Sequence, residues 1–219
     1  MSPFMLKTAL LSGGRVVVAT TMERELSDEK SKLKNGATIA GIAYWWPPRK
    51  RLPAYNIPLL LRCGVWKALK GWGLTVVKRA GIEYSGLNEK THGTAFRDYN
   101  KKHNGEGKKA LKPDDSWYLN MVMTVKEFEG QGVLSKLIRE CYEHARKTKL
   151  APFTLEASSE RSRDRYAHLG FEPRTIMGVG KVDRNGLTVK KNNGEDVEGL
   201  SRQAEGVEYY CMVNWDPEV

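Results

Sequence analysis

The sequence predicts a mixed α/β fold, and three observations carry that expectation. From Trp117 onward, strand-like and helix-like segments alternate, with a glycine-bearing turn between the first strand and the helix after it. Nearer the start, two runs rich in β-branched and aromatic residues, 15–20 and 38–46, flank a charged segment that ends in Asn35-Gly36. The composition, 40% hydrophobic and 28% charged over 219 residues, is that of a globular chain able to bury a core.

The elements follow in order. Residues 15–20 contain Val16, Val17, Val18 and Thr20 after Gly13-Gly14 and read as a strand. Residues 23–36 are crowded with Glu, Asp and Lys and read as a loop. A second strand over 38–46 is halted by Pro47-Pro48, so the two strands should pair as an antiparallel hairpin with a long connection. Residues 58–80 are expected to be one helix, broken near Gly71 and Gly73, and 87–103 another, followed by an exposed loop over 104–109. Residues 117–125 form a near-continuous apolar run between Asp114-Asp115 and Lys126-Glu127, which predicts a central strand buried on both faces.

After the glycine turn, Val133, Leu134, Leu137, Ile138 and Cys141 recur at helical spacing, and a helix is expected over 133–148 with basic residues in its last turn. Residues 152–157 read as a short strand. Ser158 or Ser159 should cap a helix that runs to His168 and ends at Gly170. Strands are expected over 171–182 and 207–215, with a polar loop or extended hairpin over 183–206. One domain over residues 1–219 accommodates these elements.

Charge and cysteine usage bound the function. The net charge of +10 suits an anionic partner. Its basic residues are scattered, however, and no helix-turn-helix, zinc-finger or RRM pattern accompanies them, which disfavours nucleic acid. No apolar run approaches the ~20 residues needed to span a bilayer. Cys63, Cys141 and Cys211 are odd in number, far apart and without metal-ligand spacing, so reduced thiols, no metal and a cytoplasmic location are expected. His92, His103, His144 and His168 likewise show no spacing that suggests a metal or a triad. The aromatics Tyr44, Trp45, Trp46, Trp66, Trp72 and Trp117 read mostly as core.

Chemistry concentrates at Glu129-Gly130-Gln131-Gly132. Glycines between a buried strand and a helix let successive backbone amides form a concave nest, and the helix dipole favours an anion there. By itself the same pair of glycines also suits a plain strand-to-helix turn.

The surroundings narrow the reading. Residues 119–137 resemble the acetyl-CoA motif of GNAT acetyltransferases, Q/R-x-x-G-x-G/A after a strand. Glu129 stands at the Gln/Arg position, Gly130 and Gln131 at the variable pair, Gly132 at the fixed glycine, Val133 at the spacer and Leu134 at the final small residue. Leu155-Glu156-Ala157-Ser158 followed by Tyr166-Ala167-His168-Leu169-Gly170-Phe171-Glu172 is similar to the family's second signature, and the Tyr44-Trp45-Trp46-Pro47-Pro48 corner to that of fungal members.

The resemblance implies a twisted, mostly antiparallel central sheet, splayed at its centre, with helices on both faces. It also implies shortened N-terminal elements, since only some fourteen residues precede Arg15.

For chemistry it implies acetyl-CoA as co-substrate, with the cofactor-binding core at about 117–172. Pantetheine would pair with backbone at Val122, Met123 and Thr124, and pyrophosphate would meet amides of Glu129, Gly130, Gln131, Gly132, Val133, Leu134 and Ser135. An amine would attack the thioester directly. Tyr166 aligns with the family's acid, and Glu156 is a candidate base ahead of Asp114 and Asp115. A small-molecule primary amine is the expected acceptor, with no membrane partner and a homodimer left open. The competing readings are a protein lysine or N-terminal acetyltransferase and an acyl-CoA-binding regulatory protein that has lost catalysis.

Overall fold

Glycines and prolines punctuate the chain where the elements end. The computed structural model describes residues 3–21, 37–51, 56–78, 84–103, 110–179 and 207–217. The loops expected at 23–36, 104–109 and 183–206 lie outside the described residues. Hydrogen bonding orders six strands as β1-β2-β3-β4-β6-β5. Of the pairings with a described register, β1/β2, β2/β3 and β5/β6 are antiparallel and β3/β4 is parallel. In that order the strands are β1 (Arg15–Thr21), β2 (Thr38–Trp46), β3 (Trp117–Thr124), β4 (Phe153–Ala157), β6 (Val207–Asn214) and β5 (Glu172–Val179). The expected α/β class and mostly antiparallel sheet are therefore present. Among the described residues, no helix is long and apolar enough to cross a membrane.

The chain divides into two compact units: Met1–Val65 with Asp114–Leu155 and Asn214–Val219, and Trp66–Pro113 with Glu156–Val213. Strand β4 runs from the first into the second.

In the first unit, β1 and β2 pair from Arg15↔Trp45 to Thr21↔Thr38, the expected hairpin. Ahead of them stands a helix the sequence reading did not assign, α1 (Pro3–Leu11). It ends at Gly13 (φ 75°), and the Gly14 amide donates back to the Ala9 carbonyl at 2.8 Å. Ala9 then packs with Tyr44 and Trp46, while Trp45 faces Phe153 edge-on at 5.5 Å. Alternation along one strand thus sends neighbouring aromatics into different parts of the core. Tyr142 and Trp117 complete the second cluster against Phe153.

The long helix α5 (Val133–Thr148) matches the expected bounds. It buries Val133, Leu137, Ile138, Cys141, Tyr142 and Ala145 on one face, each worth about 1.5–3 kcal/mol for the larger side chains. That face packs on β1, β2 and β3. Gly41 of β2 lets it approach: a Cβ there would meet Val133 Cγ1 at 2.8 Å and the Met123 carbonyl oxygen at 2.9 Å.

β3 departs from the expected strand buried on both faces. Trp117 and Leu119 are buried, but Asn120 and Met123 are exposed. The register explains why. Tyr44 pairs with Met121 and Trp45 with Leu119, so Asn120 is an extra residue, a bulge. Bulges bend a strand and end its pairing, and β3 accordingly pairs with β4 only over Trp117, Tyr118 and Leu119. Beyond Leu119 the β4-side edge of β3 has no strand partner among the described residues.

The single helix expected over 58–80 is two. Helix α2 (Ile57–Cys63) is capped by the Asn56 side chain and ends at Gly64 (φ 88°), whose amide donates to the Leu60 and Leu61 carbonyls. Helix α3 (Val65–Lys78) follows and is kinked, as expected, at Gly73 (φ 76°, ψ 161°, outside the helical region), while Gly71 stays helical. A left-handed glycine at a helix C-terminus is a strong stop, and Gly64 rather than Gly71 provides it. Trp66 on α3 is 63% exposed and is not core.

In the second unit, α4 (Ser85–His103) buries Asn88, His92, Ala95 and Phe96. Helix α4 packs on β5, and so does α6 (Glu160–Ala167), capped by Ser159 and followed by Gly170 (φ 87°). β5 and β6 pair from Glu172↔Val213 to Val179↔Val207. Cys63, Cys141 and Cys211 are buried free thiols.

Candidate functional site

The turn before α5 is made by two glycines in a conformation that L side chains avoid. A short 3₁₀ turn, Lys126–Phe128, anchors it through the buried Phe128 ring. Gly130 (φ 77°) and Gly132 (φ 76°) then alternate with Gln131, and Gly132 opens α5. An added Cβ at either glycine would meet nothing within 4 Å, so backbone conformation and not crowding demands glycine, and the turn faces open space.

The amides divide into two sets. Glu129 N–H donates to the Lys126 carbonyl at 3.1 Å and Gln131 N–H to the Phe128 carbonyl at 3.4 Å. The Gln131 side-chain amide adds a bond to the Glu127 carbonyl at 2.9 Å. Among the described residues, the amides of Gly130, Gly132, Val133, Leu134 and Ser135 have no acceptor, and no side chain caps α5. Helices α2 and α6, by contrast, have the side-chain caps Asn56 and Ser159. An uncapped start with open donors at the positive end of a 16-residue helix can hold an anion.

No acidic residue lies in the first turn of α5, and the Glu129 side chain is solvent-exposed. Leu134 and Ser135 are half-buried. Upstream, Val122, Met123 and Thr124 occupy the β3 stretch left without a partner on the β4 side, and Met123 is 47% exposed. These observations fit a ligand that carries phosphates and an amide-bearing arm.

Asp114 and Asp115, the lesser base candidates, are engaged by arginines. Asp115 accepts from Arg49 at 2.9 Å, and Asp114 lies 3.7 Å from Arg51. Tyr44, Trp45, Trp46 and Trp117 are all buried. His144 stacks edge-on against Trp117, and burial, then the Arg15 guanidinium, holds its imidazole below the usual histidine value.

The second unit contains the two groups the sequence reading singled out for proton transfer. Tyr166, on α6, is buried against Phe171 with ring centroids 6.0 Å apart. Burial pushes its hydroxyl up to about 12, so it keeps its proton across the neutral range. Glu156 is not a surface carboxylate. Its side chain is 7% exposed, and Oε1 lies 2.9 Å from Nε2 of His92, itself 7% exposed.

The sequence reading missed His92. The signal was its place at helical spacing with Asn88, Ala95 and Phe96, a buried face with a polar residue in it. Cys211 and Tyr209 of β6 complete the surroundings: the Tyr209 hydroxyl donates to Asn88 Oδ1 at 2.7 Å and the Cys211 thiol to the same oxygen at 3.7 Å. Burial first, and the Glu156 carboxylate after it, pushes the Cys211 thiol up.

No family model and no curated protein matches the chain. Solved structures similar to it include a histone acetyltransferase HPA2 and related acetyltransferase from Corynebacterium glutamicum. That match has a TM-score of 0.42 and 16% identity, over 99% of this chain and 74% of that one. Arylalkylamine N-acetyltransferase 2 from Aedes aegypti aligns with a TM-score of 0.45 and 16% identity, over 84% of this chain and 70% of that one. An agmatine N-acetyltransferase aligns with a TM-score of 0.37 and 12% identity, over 87% and 81%.

Proposed function

We propose that the chain is an acetyl-CoA-dependent N-acetyltransferase that acts on a primary amine, with a small-molecule acceptor. The observation that carries this reading is the turn at Gly130 and Gly132, whose open amides precede an uncapped helix within a segment that resembles the acetyl-CoA motif of GNAT enzymes. When bound, acetyl-CoA supplies a thioester carbonyl open to attack by an amine.

The chain's own contributions are separate and modest in number. Amides of Gly130, Gly132, Val133, Leu134 and Ser135 hold phosphate oxygens through charge-assisted hydrogen bonds. Glu129 and Gln131 shape the turn, since their own amides are taken by Lys126 and Phe128. The β3 backbone at Val122, Met123 and Thr124 offers groups to an extended, amide-bearing arm, which fixes orientation. Tyr166 retains a proton for a departing thiolate, and Glu156, held by His92, accepts one from the amine. The proposed setting is cytoplasmic.

Calorimetric titration of the full chain with acetyl-CoA and with CoA, repeated on Gly132→Trp, tests the reading. Saturable binding that disappears in the variant is the expected result. Thiol release on adding candidate amines, reduced 10²-fold or more in Tyr166→Phe at unchanged acetyl-CoA affinity, then identifies the acid. No binding up to millimolar cofactor by the intact chain sinks the enzyme reading. Binding without thiol release for any amine selects a regulatory acyl-CoA-binding protein instead.

A further inference from the structure

The buried cluster in the second unit includes a histidine with one ring nitrogen unsatisfied among the described residues. An imidazole nitrogen of His92, a carboxylate oxygen of Glu156 and Sγ of Cys211 all lie within 4.8 Å of one another. His92 and Cys211 are 6% and 2% exposed, and the Glu156 side chain 7%. Nε2 of His92 faces Glu156, but Nδ1 is buried with no hydrogen-bond partner among the described residues. A neutral ring that donates from Nε2 leaves its lone pair on Nδ1 unused. The other tautomer buries an N–H on Nδ1 without an acceptor. Either way one ring nitrogen is unsatisfied, which costs about 1–3 kcal/mol in a protein interior.

Geometry and chemistry point the same way. For three atoms at most 4.8 Å apart, some point lies within about 2.8 Å of each, so shifts of roughly half an ångström reach metal–nitrogen, metal–oxygen and metal–sulfur bond lengths of about 2.0–2.3 Å. The donors come from three different elements, α4, β4 and β6, so a cation there would staple the helix to both strands. Asn88, one turn before His92, places Oδ1 3.7 Å from Sγ as a candidate fourth donor atom. One imidazole, one thiolate and one carboxylate match a borderline-soft ion. Mg²⁺ and Ca²⁺ prefer oxygen alone. The two anionic ligands cancel a divalent charge.

We propose that His92, Glu156 and Cys211 form a binding site for a divalent cation of the Zn²⁺ class. This revises the sequence expectation of no metal, which rested on linear spacing. On binding, the Cys211 thiol loses its proton to solvent and the thiolate ligates the ion. Resting on the acyltransferase reading, the cation also acts as an inhibitor: a carboxylate and imidazole that ligate it cannot take the proton of an incoming amine.

The test uses the full chain, stripped with chelator and kept reduced, titrated with Co²⁺. One equivalent should produce thiolate-to-cobalt charge-transfer absorption, and Zn²⁺ should displace it. Cys211→Ser, nearly isosteric, should abolish the band with unchanged circular dichroism, and His92→Ala should weaken cobalt binding at least 100-fold. No band in the parent chain at millimolar Co²⁺ overturns the proposal. So does a band that survives in Cys211→Ser, because Cys63 or Cys141 would then be its source.

The regulatory part is read separately. One equivalent of Zn²⁺ should lower turnover at least tenfold, reversed by chelator, with acetyl-CoA affinity retained. Full turnover in the zinc-loaded chain overturns the inhibition. Loss of acetyl-CoA binding in metal-free and loaded chains alike refutes the enzyme reading and leaves the spectroscopic result standing.

Discussion

The glycine turn of the first unit and the polar cluster of the second are opposite solutions to presenting polar groups. The turn is built from consecutive backbone amides, faces open space, and depends on two left-handed glycines. The cluster is built from side chains of residues 88, 92, 156, 209 and 211, largely buried and tied by hydrogen bonds. An open backbone site loses most of its ligand affinity when its conformation is disturbed, and stability falls only by the strain of that conformation. A buried side-chain site does the reverse, because removing one partner strands another in a poor solvent.

Gly132→Trp should sharpen that contrast most. The variant places a bulky L side chain at φ 76°, and acetyl-CoA affinity should fall at least 100-fold by calorimetry, while the left-handed conformation alone should cost about 1–2 kcal/mol in urea denaturation, since the side chain meets open space. His92→Ala should do the opposite. Taking the imidazole from a carboxylate that is 7% exposed should cost about 3 kcal/mol in urea denaturation and leave acetyl-CoA affinity within a factor of a few. A His92→Ala chain as stable as the parent would break the comparison.

Gly41→Ala tests whether the turn is held by packing beneath it. The new methyl meets Val133 Cγ1 at 2.8 Å and the Met123 carbonyl oxygen at 2.9 Å, so α5 must shift at its first turn. About 1–3 kcal/mol of stability should be lost and acetyl-CoA affinity should fall severalfold, both together.

His144 gives the smallest effect. Its imidazole is held below the reference value of 6.5 by burial and then by Arg15, so the unfolded chain binds more protons just under that pH. Stability from this group is therefore complete above the unfolded value and declines as pH falls through it. The urea midpoint should drop slightly more between pH 7.5 and 5.5 in the parent than in His144→Gln.

Legibility followed locality. Helix α5 was readable to the residue because Val133, Leu137, Ile138 and Cys141 repeat at one period and Gly132 marks the start. Strands β1 and β2 were readable from β-branched runs between turn residues. The break at Gly64 was harder to see, because Gly71 and Gly73 compete for the same role in the sequence and all three look alike without φ.

The bulge at Asn120 was illegible for a different reason. It exists only as a mismatch between two strands about seventy residues apart, Tyr44↔Met121 against Trp45↔Leu119. Glu156 is a proton-acceptor candidate by its place at the end of the strand before the Tyr166 helix, but its burial and its bond to His92 are tertiary and no local pattern encodes them.

By itself, the sequence determined the strands β1 and β2, the bounds of α5 and the glycine pair that opens it. Those properties reside in a few adjacent residues and their φ, ψ and periodic burial. Only the tertiary structure decided that β3 parts from β4 after Leu119, and that Asn88, His92, Glu156 and Cys211 converge. Side chains separated by tens of residues acquire a common environment only when the elements that carry them pack. No linear spacing encodes that distance.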